Sequence, residues 1–319
     1  MKRPILAGVL LSAACTAVIA ITAGRLVAFD IVGPTVPFAY PWRLAEPSTA
    51  ARVSAWVGYA LHNLAAFAVI AWAQRRREWS DSFARANWWM LGIHGLFIGL
   101  HVLQTQVFYD GLARDVPEVT ALGSVALLLM VVLILEAPRR GLVFGRSPRF
   151  GARFLAMVKQ THGYLFSWAL IYTFWYHPTE GTHGHLAGFF YIFLLLWQSV
   201  LLFHRAHLHR GWTLALELLV IPHAVFVAVH QGHGLWPMFG FGFGAVFVLT
   251  QLWGTELSDL AKKATVAAFC VGGVAVYAGL DRIDQWHEVL RIPVLDYGVV
   301  FLLWGLWWVG DRVVRLVRG

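Results

Sequence analysis

The feature that most constrains this chain is a series of about ten apolar stretches that follow one another along its 319 residues. Each stretch approaches the ~20 residues that an α-helix needs to cross the ~30 Å hydrocarbon core of a bilayer. Hydrophobic residues make up 59% of the chain and charged residues 13%, and that charged share is about half that of a soluble domain. The sequence therefore predicts an all-α, polytopic integral membrane protein, and it excludes an ordinary water-soluble enzyme and a disordered chain.

The positions of the apolar stretches predict ten membrane spans. The spans cover residues 5–28, 52–73, 87–108, 119–137, 156–176, 185–204, 212–230, 235–253, 264–280 and 293–311. The first stretch follows Lys2 and Arg3, as the apolar part of a signal peptide would. It continues past Ile21 and nine more spans follow, so we interpret it as an uncleaved first helix.

The basic residues predict how the chain is oriented in the membrane. If the N-terminus is cytoplasmic, 19 of the 25 Lys and Arg residues lie on the cytoplasmic side. Cytoplasmic loops of membrane proteins accumulate Lys and Arg, so we predict both termini inside, in a bacterial cytoplasmic (inner) membrane. The net charge of +8 then reflects contact with the lipid bilayer. No basic stripe is interleaved with exposed aromatic residues, so we predict no binding of nucleic acid.

The most basic loop, residues 138–153, separates two parts of different composition. Three of the 14 histidines precede this loop and eleven follow it. We predict a single membrane domain over residues 1–319 with two subdomains. The first, residues 1–137, contains spans one to four, and the second, residues 154–319, contains the histidine-rich spans five to ten.

Ten of the histidines lie between residues 162 and 233, and five of these are at the predicted outer ends of spans five, six and seven. Short loops join these spans, so they are expected to be neighbours whose histidines converge. Neutral imidazole is the commonest protein ligand of metal ions, and the pattern predicts a site for iron, copper or zinc. An interfacial polar rim is the competing interpretation. The predicted outer ligands are His177, His183, His185, His230 and His233.

A second group of candidate residues lies toward the predicted inner face. His204 and His207 share one helix face at the end of span six, and we predict them as further metal ligands, with contact to lipid headgroups as the alternative. Glu217 and His223 are the predicted catalytic residues, because ionisable groups inside a span are expensive and usually functional. Pro222 precedes His223 and is expected to bend the helix there.

Haem is the alternative to a transition-metal site. Bis-histidine ligation of haem b needs one histidine from each of two facing helices. His62, His101 and His162 lie at or near mid-depth in spans two, three and five, and we predict them as cofactor ligands. His223 has a similar depth, and His94 shares a helix face with His101 because the two are seven residues apart.

These patterns predict a membrane-embedded, histidine-rich metalloprotein that acts as an oxidoreductase on quinone or another lipid-soluble substrate. A b-type haem protein that transfers electrons across the membrane is the first alternative. The second is a metal-ion or proton-coupled transporter in which Glu217 and His223 form a relay. A non-catalytic subunit of a larger assembly is the fourth interpretation and ranks last.

Overall fold

The computed structural model describes residues 2–32, 40–232 and 234–318. Those residues form α-helices and short 3-10 helices, and no β-strand occurs among them. The prediction of an all-α fold is therefore confirmed. The helices are α1 (Lys2–Thr22), α2 (Thr49–Arg76), α3 (Arg85–Phe108), α4 (Glu118–Arg140), α5 (Ala152–Tyr176), α6 (His183–Val200), α7 (Arg210–Leu218), α8 (Val220–Gln231), α9 (Trp236–Leu249), α10 (Asp259–Gly279) and α11 (Arg291–Arg318).

Eight helical segments in the described part of the chain are long and apolar enough to cross a membrane. They are Lys2–Ala28, Thr49–Arg76, Arg85–Phe108, Glu118–Arg140, Arg210–His230, Trp236–Gly254, Asp259–Gly279 and Ile283–Val317. Helices α5 and α6 form at the positions of predicted spans five and six but are not among the eight. Polar side chains, including Lys159 and His162 in α5 and His183, His185 and Gln198 in α6, lower their hydropathy. The count of ten spans therefore stays a prediction.

The predicted seventh span is interrupted next to its proline. Helix α7 ends at Leu218 and α8 begins at Val220. Pro222 lacks the N–H that would bond to the carbonyl of Leu218, and its ring crowds that carbonyl. The interruption is at Leu219, three residues before Pro222, and the bend at Pro222 stays a prediction.

The described residues fall into two compact units. Unit 1 contains Met1–Val125 and Gly163–Leu216, and unit 2 contains Ala126–His162 and Glu217–Gly319. The two predicted subdomains follow one another along the chain, whereas these units alternate along it, and the loop 138–153 lies inside unit 2. The reason is packing, because α6 contacts α1 and α3 and so joins the first helices rather than the last ones.

Close helix contacts in unit 1 depend on two glycines that face tryptophans. A Cβ atom at Gly58 of α2 would lie 2.1 Å from the ring of Trp175, and a Cβ at Gly8 of α1 would lie 2.2 Å from Trp197. Only a residue without a side chain lets these rings approach the helix backbones. In the same unit, Asn87 of α3 donates to the carbonyl of Val200, the last residue of α6, at 2.7 Å and to the carbonyl of Leu202 at 2.9 Å.

Unit 2 has its own apolar core around α9. Ala245, Tyr277 and Val289 are buried together, and Phe241 and Trp286 pack against them. Helix α9 contacts α8, α10 and α11. The core is therefore assembled from the helices that follow residue 216.

Candidate functional site

Unit 1 contains a chain of hydrogen-bonded side chains that includes two buried histidines. His62 Nε2 lies 2.9 Å from His94 Nδ1, and the two residues are 0% and 3% exposed. Trp175 Nε1 lies 3.2 Å from His62 Nδ1, and His94 Nε2 lies 2.7 Å from Ser199 Oγ. We call Trp175, His62, His94 and Ser199 the His62 chain, and its members come from α5, α2, α3 and α6.

The direction of every hydrogen bond in the His62 chain follows from Trp175. An indole nitrogen only donates, so His62 Nδ1 accepts and the His62 proton is on Nε2, which donates to His94. His94 therefore also carries its proton on Nε2 and donates to Ser199. The Ser199 hydroxyl donates to the carbonyl of Leu196, 2.7 Å away. Both ring nitrogens of both histidines are used, and the chain is electrically neutral.

His101, which is 0% exposed, has an oxygen acceptor at each ring nitrogen. Nδ1 lies 3.0 Å from Gln104 Oε1, and Nε2 lies 2.8 Å from the backbone oxygen of His177. Gln104 Nε2 donates to the backbone oxygen of Asp110 at 2.8 Å, which fixes the direction of the amide. A neutral imidazole has one N–H, so the second acceptor is satisfied only when His101 binds another proton. The Trp175 ring lies 4.3 Å away between centroids and is tilted by 33°.

A second group of side chains, which we call the Tyr40 cluster, lies where α5 ends and α6 begins. The Tyr40 hydroxyl lies 2.8 Å from His177 Nδ1 and 2.7 Å from His185 Nε2. His185 Nδ1 lies 2.7 Å from Thr182 Oγ1. Burial raises the pKa of Tyr40 well above its ordinary value, and the nearby Tyr109 adds to the rise. The phenol therefore keeps its proton at neutral pH.

The Tyr40 cluster accommodates two hydrogen-bond arrangements, which differ in the tautomer of both histidines, so that exchange between them takes up one proton at one end of the cluster and releases one at the other. In the first, Tyr40 donates to His185, while His177 donates to Tyr40 and His185 Nδ1 donates to Thr182. In the second, Tyr40 donates to His177, while His185 Nε2 donates to Tyr40 and Thr182 donates to His185. No heavy atom has to move between them, because a phenol oxygen both donates and accepts.

The loop between α5 and α6 is fixed to the end of α3. Thr179 N–H donates to Thr105 Oγ1 at 3.1 Å, and Tyr109 donates to Glu180 Oε1 at 2.5 Å. Burial and this hydrogen bond raise the pKa of Tyr109. Tyr109 has a φ of +65°, which costs backbone strain in a residue other than glycine. The loop that carries His177 is therefore held at several points.

Together these groups form a polar column through unit 1. Its members are Ser199, His94, His62, Trp175, His101, His177, Tyr40 and His185. Fourteen residues of α6 separate His185 from Ser199, which corresponds to roughly 21 Å along the helix axis. That length is about two thirds of the ~30 Å hydrocarbon core.

The structure brings together two of the five predicted outer ligands. The rings of His177 and His185 have centroids 5.5 Å apart. His183 is exposed at the start of α6, and His230 is exposed at the end of α8 in unit 2, whereas His233 lies outside the described residues. Among the described residues, no group of three or more His, Cys, Asp or Glu side chains is placed to hold a metal ion. The transition-metal site stays a prediction.

The predicted inner ligands His204 and His207 order the turn after α6. His204 Nδ1 accepts from the Ala206 N–H at 3.0 Å, and its Nε2 donates to the Asp81 carbonyl at 3.1 Å. His207 Nδ1 donates to the carbonyl of Gln198 at 3.0 Å. These contacts give both histidines a role in loop geometry.

The predicted cofactor ligands divide between the units. His162 lies in unit 2, where its Nδ1 donates to the carbonyl of Lys159 at 2.8 Å. His62 and His101 lie in unit 1, and a polar partner lies at hydrogen-bond distance from both ring nitrogens of each. A haem iron takes one ring nitrogen from each axial histidine, so haem at these two residues would have to replace hydrogen bonds. The haem site also stays a prediction.

The predicted catalytic residue Glu217 is part of a buried ion pair. Arg140 NH1 and NH2 lie 3.0 and 2.6 Å from the two Glu217 oxygens, and the side chains are 1% and 7% exposed. This two-point geometry is the strong form of an Arg–carboxylate contact. His223 is half-buried in α8 of the same unit.

Sequence reasoning missed four residues that organise these sites. Trp175, Ser199 and Arg140 lie among apolar or ordinary interfacial residues, and no sequence spacing connects them to their partners. Tyr40 follows a proline-rich segment that has no helical periodicity. A signal was present only for α6, where Gln198 and Ser199 interrupt an apolar run.

The imidazole and hydroxyl groups of the polar column determine which chemistry it can perform. Imidazole is the side chain whose unperturbed pKa lies closest to neutral pH, and hydroxyl groups between imidazoles can exchange donor and acceptor roles. Such an arrangement can hold and transfer protons. Comparisons of the chain with protein families, with curated proteins and with solved structures find no match.

Proposed function

We propose that this protein transports protons across a membrane through the polar column of unit 1. The single observation that carries the proposal is the position of the Tyr40 hydroxyl, 2.8 Å from His177 and 2.7 Å from His185. A proton that arrives at one imidazole can leave from the other, because Tyr40 donates to either side. This proposal corresponds to the proton-coupled transporter among the functions that the sequence allows.

The His62 chain supports the proposal from the interior of the unit. Its hydrogen bonds all run in one direction, from Trp175 through His62 and His94 to Ser199. Ionisable side chains at such depth are costly and commonly belong to ion pathways. When the Trp175 indole turns away, His62 Nδ1 can bind a proton, and the proton on His62 Nε2 can then pass to His94 over the 2.9 Å contact without movement of a helix.

His101 lies between the two parts of the column and controls transfer between them. It contacts the Trp175 ring in a tilted arrangement and bonds to His177 through a backbone oxygen, and neither partner passes a proton on. Transfer between the Tyr40 cluster and the His62 chain therefore requires the His101 side chain to reorient. We expect this step to limit the rate.

We place the Tyr40 cluster toward the outer side of a bacterial inner membrane, with both termini in the cytoplasm. The support is the distribution of Lys and Arg. If the ten predicted spans form, 19 of the 25 basic residues lie on the same side of the membrane as the N-terminus, and basic loops stay in the cytoplasm. Accessibility of single cysteines in the loops 138–153 and 177–182 to a membrane-impermeant reagent tests this orientation.

Proton flux into proteoliposomes tests the proposed function. Purified protein is reconstituted with a trapped pH indicator, and a potassium diffusion potential drives proton entry. Wild-type protein should acidify or alkalinise the lumen according to the sign of the potential. A rate equal to that of protein-free liposomes would overturn the proposal.

Tyr40→Phe is the sharpest variant, because it removes one hydroxyl and keeps the ring. We expect the flux to fall by about 100-fold, the lower range of what a proton-transfer group contributes. Tyr164→Phe is the matched control, since it removes a hydroxyl that bonds to Gln74 at 3.2 Å elsewhere in unit 1. Equal flux in the two variants would show that the Tyr40 cluster is not on the pathway.

A transition-metal site in the Tyr40 cluster is a second candidate, and it would suit an oxidoreductase that acts on a quinone. The supporting observation is that two imidazole nitrogens each lie within 2.8 Å of one phenol oxygen, since these atoms are ligands for iron, copper and zinc. Elemental analysis of the purified protein tests it. Stoichiometric metal that is absent from Tyr40→Phe would favour this candidate.

A further inference from the structure

Unit 2 buries a carboxyl group that none of the interactions above uses. Asp296, in the second turn of α11, is 2% exposed. Its Oδ2 is buried and makes no hydrogen bond. Among the described residues, no basic side chain lies within ion-pair distance of the Asp296 carboxylate.

Asp296 lies on the packed face of α11. Pro293 and Val300, which share that face at helical spacing, are buried. Val294 and Leu295 point the other way and are 68% and 55% exposed. The carboxyl group therefore points into unit 2 and away from the lipid-facing surface.

The charged groups around the start of α11 are already paired with one another. Glu288 lies 3.0 Å from Arg282 and 3.2 Å from Arg291. Arg140, a buried cation of the unit, is bound at both terminal guanidinium nitrogens by Glu217. None of these cations is bonded to the Asp296 carboxylate.

The polar neighbours of Asp296 do not stabilise a negative charge on its carboxylate either. The hydroxyl of Tyr297 is hydrogen bonded to Thr250 Oγ1 at 2.7 Å. Asp296 is the sixth residue of α11, so the attraction of an anion to a helix N-terminus, which fades beyond the first turn, is small. A charge at this position has no partner in the described part of the unit.

We infer that Asp296 is a proton-binding site, a neutral carboxylic acid that holds one proton on its buried carboxyl group at neutral pH. An unpaired carboxylate in an apolar environment is far costlier than its protonated form, so such a group binds a proton instead of ionising. The reaction is the addition of one proton to one carboxylate oxygen, and it needs no other reactant. This inference concerns unit 2 alone and does not rest on the proposed function of unit 1.

Infrared spectroscopy of the protein in lipid nanodiscs tests the inference. Aspartate is labelled with ¹³C at its carboxyl carbon, so that its C=O stretch is separated from that of glutamic acid. We expect one labelled carboxylic-acid band at neutral pH that disappears in Asp296→Asn. Asp311→Asn is the matched control on the same helix, because Asp311 is paired with Arg153 and Arg315, and it should leave the band unchanged.

Two further observations keep the test decisive. Asp296→Glu keeps a carboxylic acid at the site, but glutamate carries no label. We therefore expect the labelled carboxylic-acid band to disappear and an unlabelled carboxylic-acid band to replace it. Because Asn has the shape of a neutral Asp, Asp296→Asn should also keep the thermal unfolding midpoint of the wild type. If Asp296→Asn instead removes absorption of the ionised carboxylate and leaves the carboxylic-acid band unchanged, the inference is overturned. Proton flux is measured separately, so a failure of the proposed function leaves this result interpretable.

Discussion

The histidines of the two units differ in what they bond to. In unit 1, His62, His94 and His101 are buried and bond to groups from other helices or to the end of α5. In unit 2, His162 and His230 bond to carbonyls three or four residues earlier in their own helices. The interhelical bonds of His62 and His94 connect elements of the fold.

The comparison shows that clustering along the sequence is a weaker guide than burial. The segment from residue 162 to 233 contains ten of the 14 histidines. The two histidines that bond directly to each other, His62 and His94, lie outside that segment. A lone histidine in a span becomes a connecting group when a partner from another helix reaches it.

The largest expected effect lies in unit 2, in the Arg140–Glu217 pair. Glu217→Ala leaves Arg140 charged and 1% exposed, which we expect to lower the free energy of unfolding by about 3–5 kcal/mol. Denaturant unfolding in mixed micelles measures it. The double variant Arg140→Met, Glu217→Leu should recover most of the loss, since two apolar residues replace the pair. An equally large loss in the double variant would contradict a structural role for Glu217.

Trp175→Phe removes the only donor that faces His62 Nδ1 in the described structure. We expect the free energy of unfolding to fall by about 1–3 kcal/mol, because the buried acceptor His62 Nδ1 is left unsatisfied. Trp304→Phe in unit 2 also removes one indole hydrogen bond, to the carbonyl of Phe150 at 3.1 Å, and is the matched comparison. If the free energy of unfolding falls less in Trp175→Phe than in Trp304→Phe, the interhelical hydrogen bonds of the unit 1 histidines do not have the importance that we assign to them.

A smaller effect is expected from Asp110, which follows α3 and accepts from the Leu44 N–H at 2.7 Å. Burial raises the pKa of Asp110, although the Leu44 hydrogen bond opposes the rise. The folded protein therefore binds this proton more tightly than the unfolded chain does. Stability from this group is present at low pH and is lost as the pH rises through the unfolded and then the folded pKa.

Asp110→Asn should remove that part of the pH dependence. The free energy of unfolding, measured from acid to neutral pH, is expected to fall less steeply with rising pH in Asp110→Asn than in the wild type. A steeper fall in the variant would show that Asp110 is ionised more readily in the folded protein.

The smallest effect is expected from His230. It is exposed, and its Nδ1 donates to the carbonyl of Phe226 in its own helix at 2.9 Å. His230→Gln should change the free energy of unfolding by no more than about 0.5 kcal/mol, and proton flux should equal that of the wild type. Loss of flux in this variant would place a unit 2 histidine on the pathway.

The helices were predictable from the sequence, because length and hydropathy alone decide which segments can span a bilayer. Helix α3, for example, covers Arg85–Phe108 and the predicted span covers 87–108. The assembly of the units was not predictable. Most of the surface of each helix is apolar whether it faces lipid or protein, so hydropathy does not show that α6 packs against α1 and α3.

The candidate site was predictable only in part. His62, His101, His177 and His185 stand out as ionisable groups in or next to apolar segments. Their partners do not, because a tryptophan, a serine or a backbone carbonyl carries no chemical signal until the fold brings it within 3 Å. Tyr40 is the clearest case, since it reaches His177 across 137 positions of the sequence.

Histidine-specific ¹⁵N NMR across a pH titration tests the central claim most directly, namely that the Tyr40 hydroxyl couples His177 and His185. In wild-type protein, His177 and His185 should change protonation together, with two shared apparent steps, because Tyr40 couples them. In Tyr40→Phe they should titrate separately, while the signal of His230 stays the same in both proteins. Independent titration of His177 and His185 in the wild type would contradict the account.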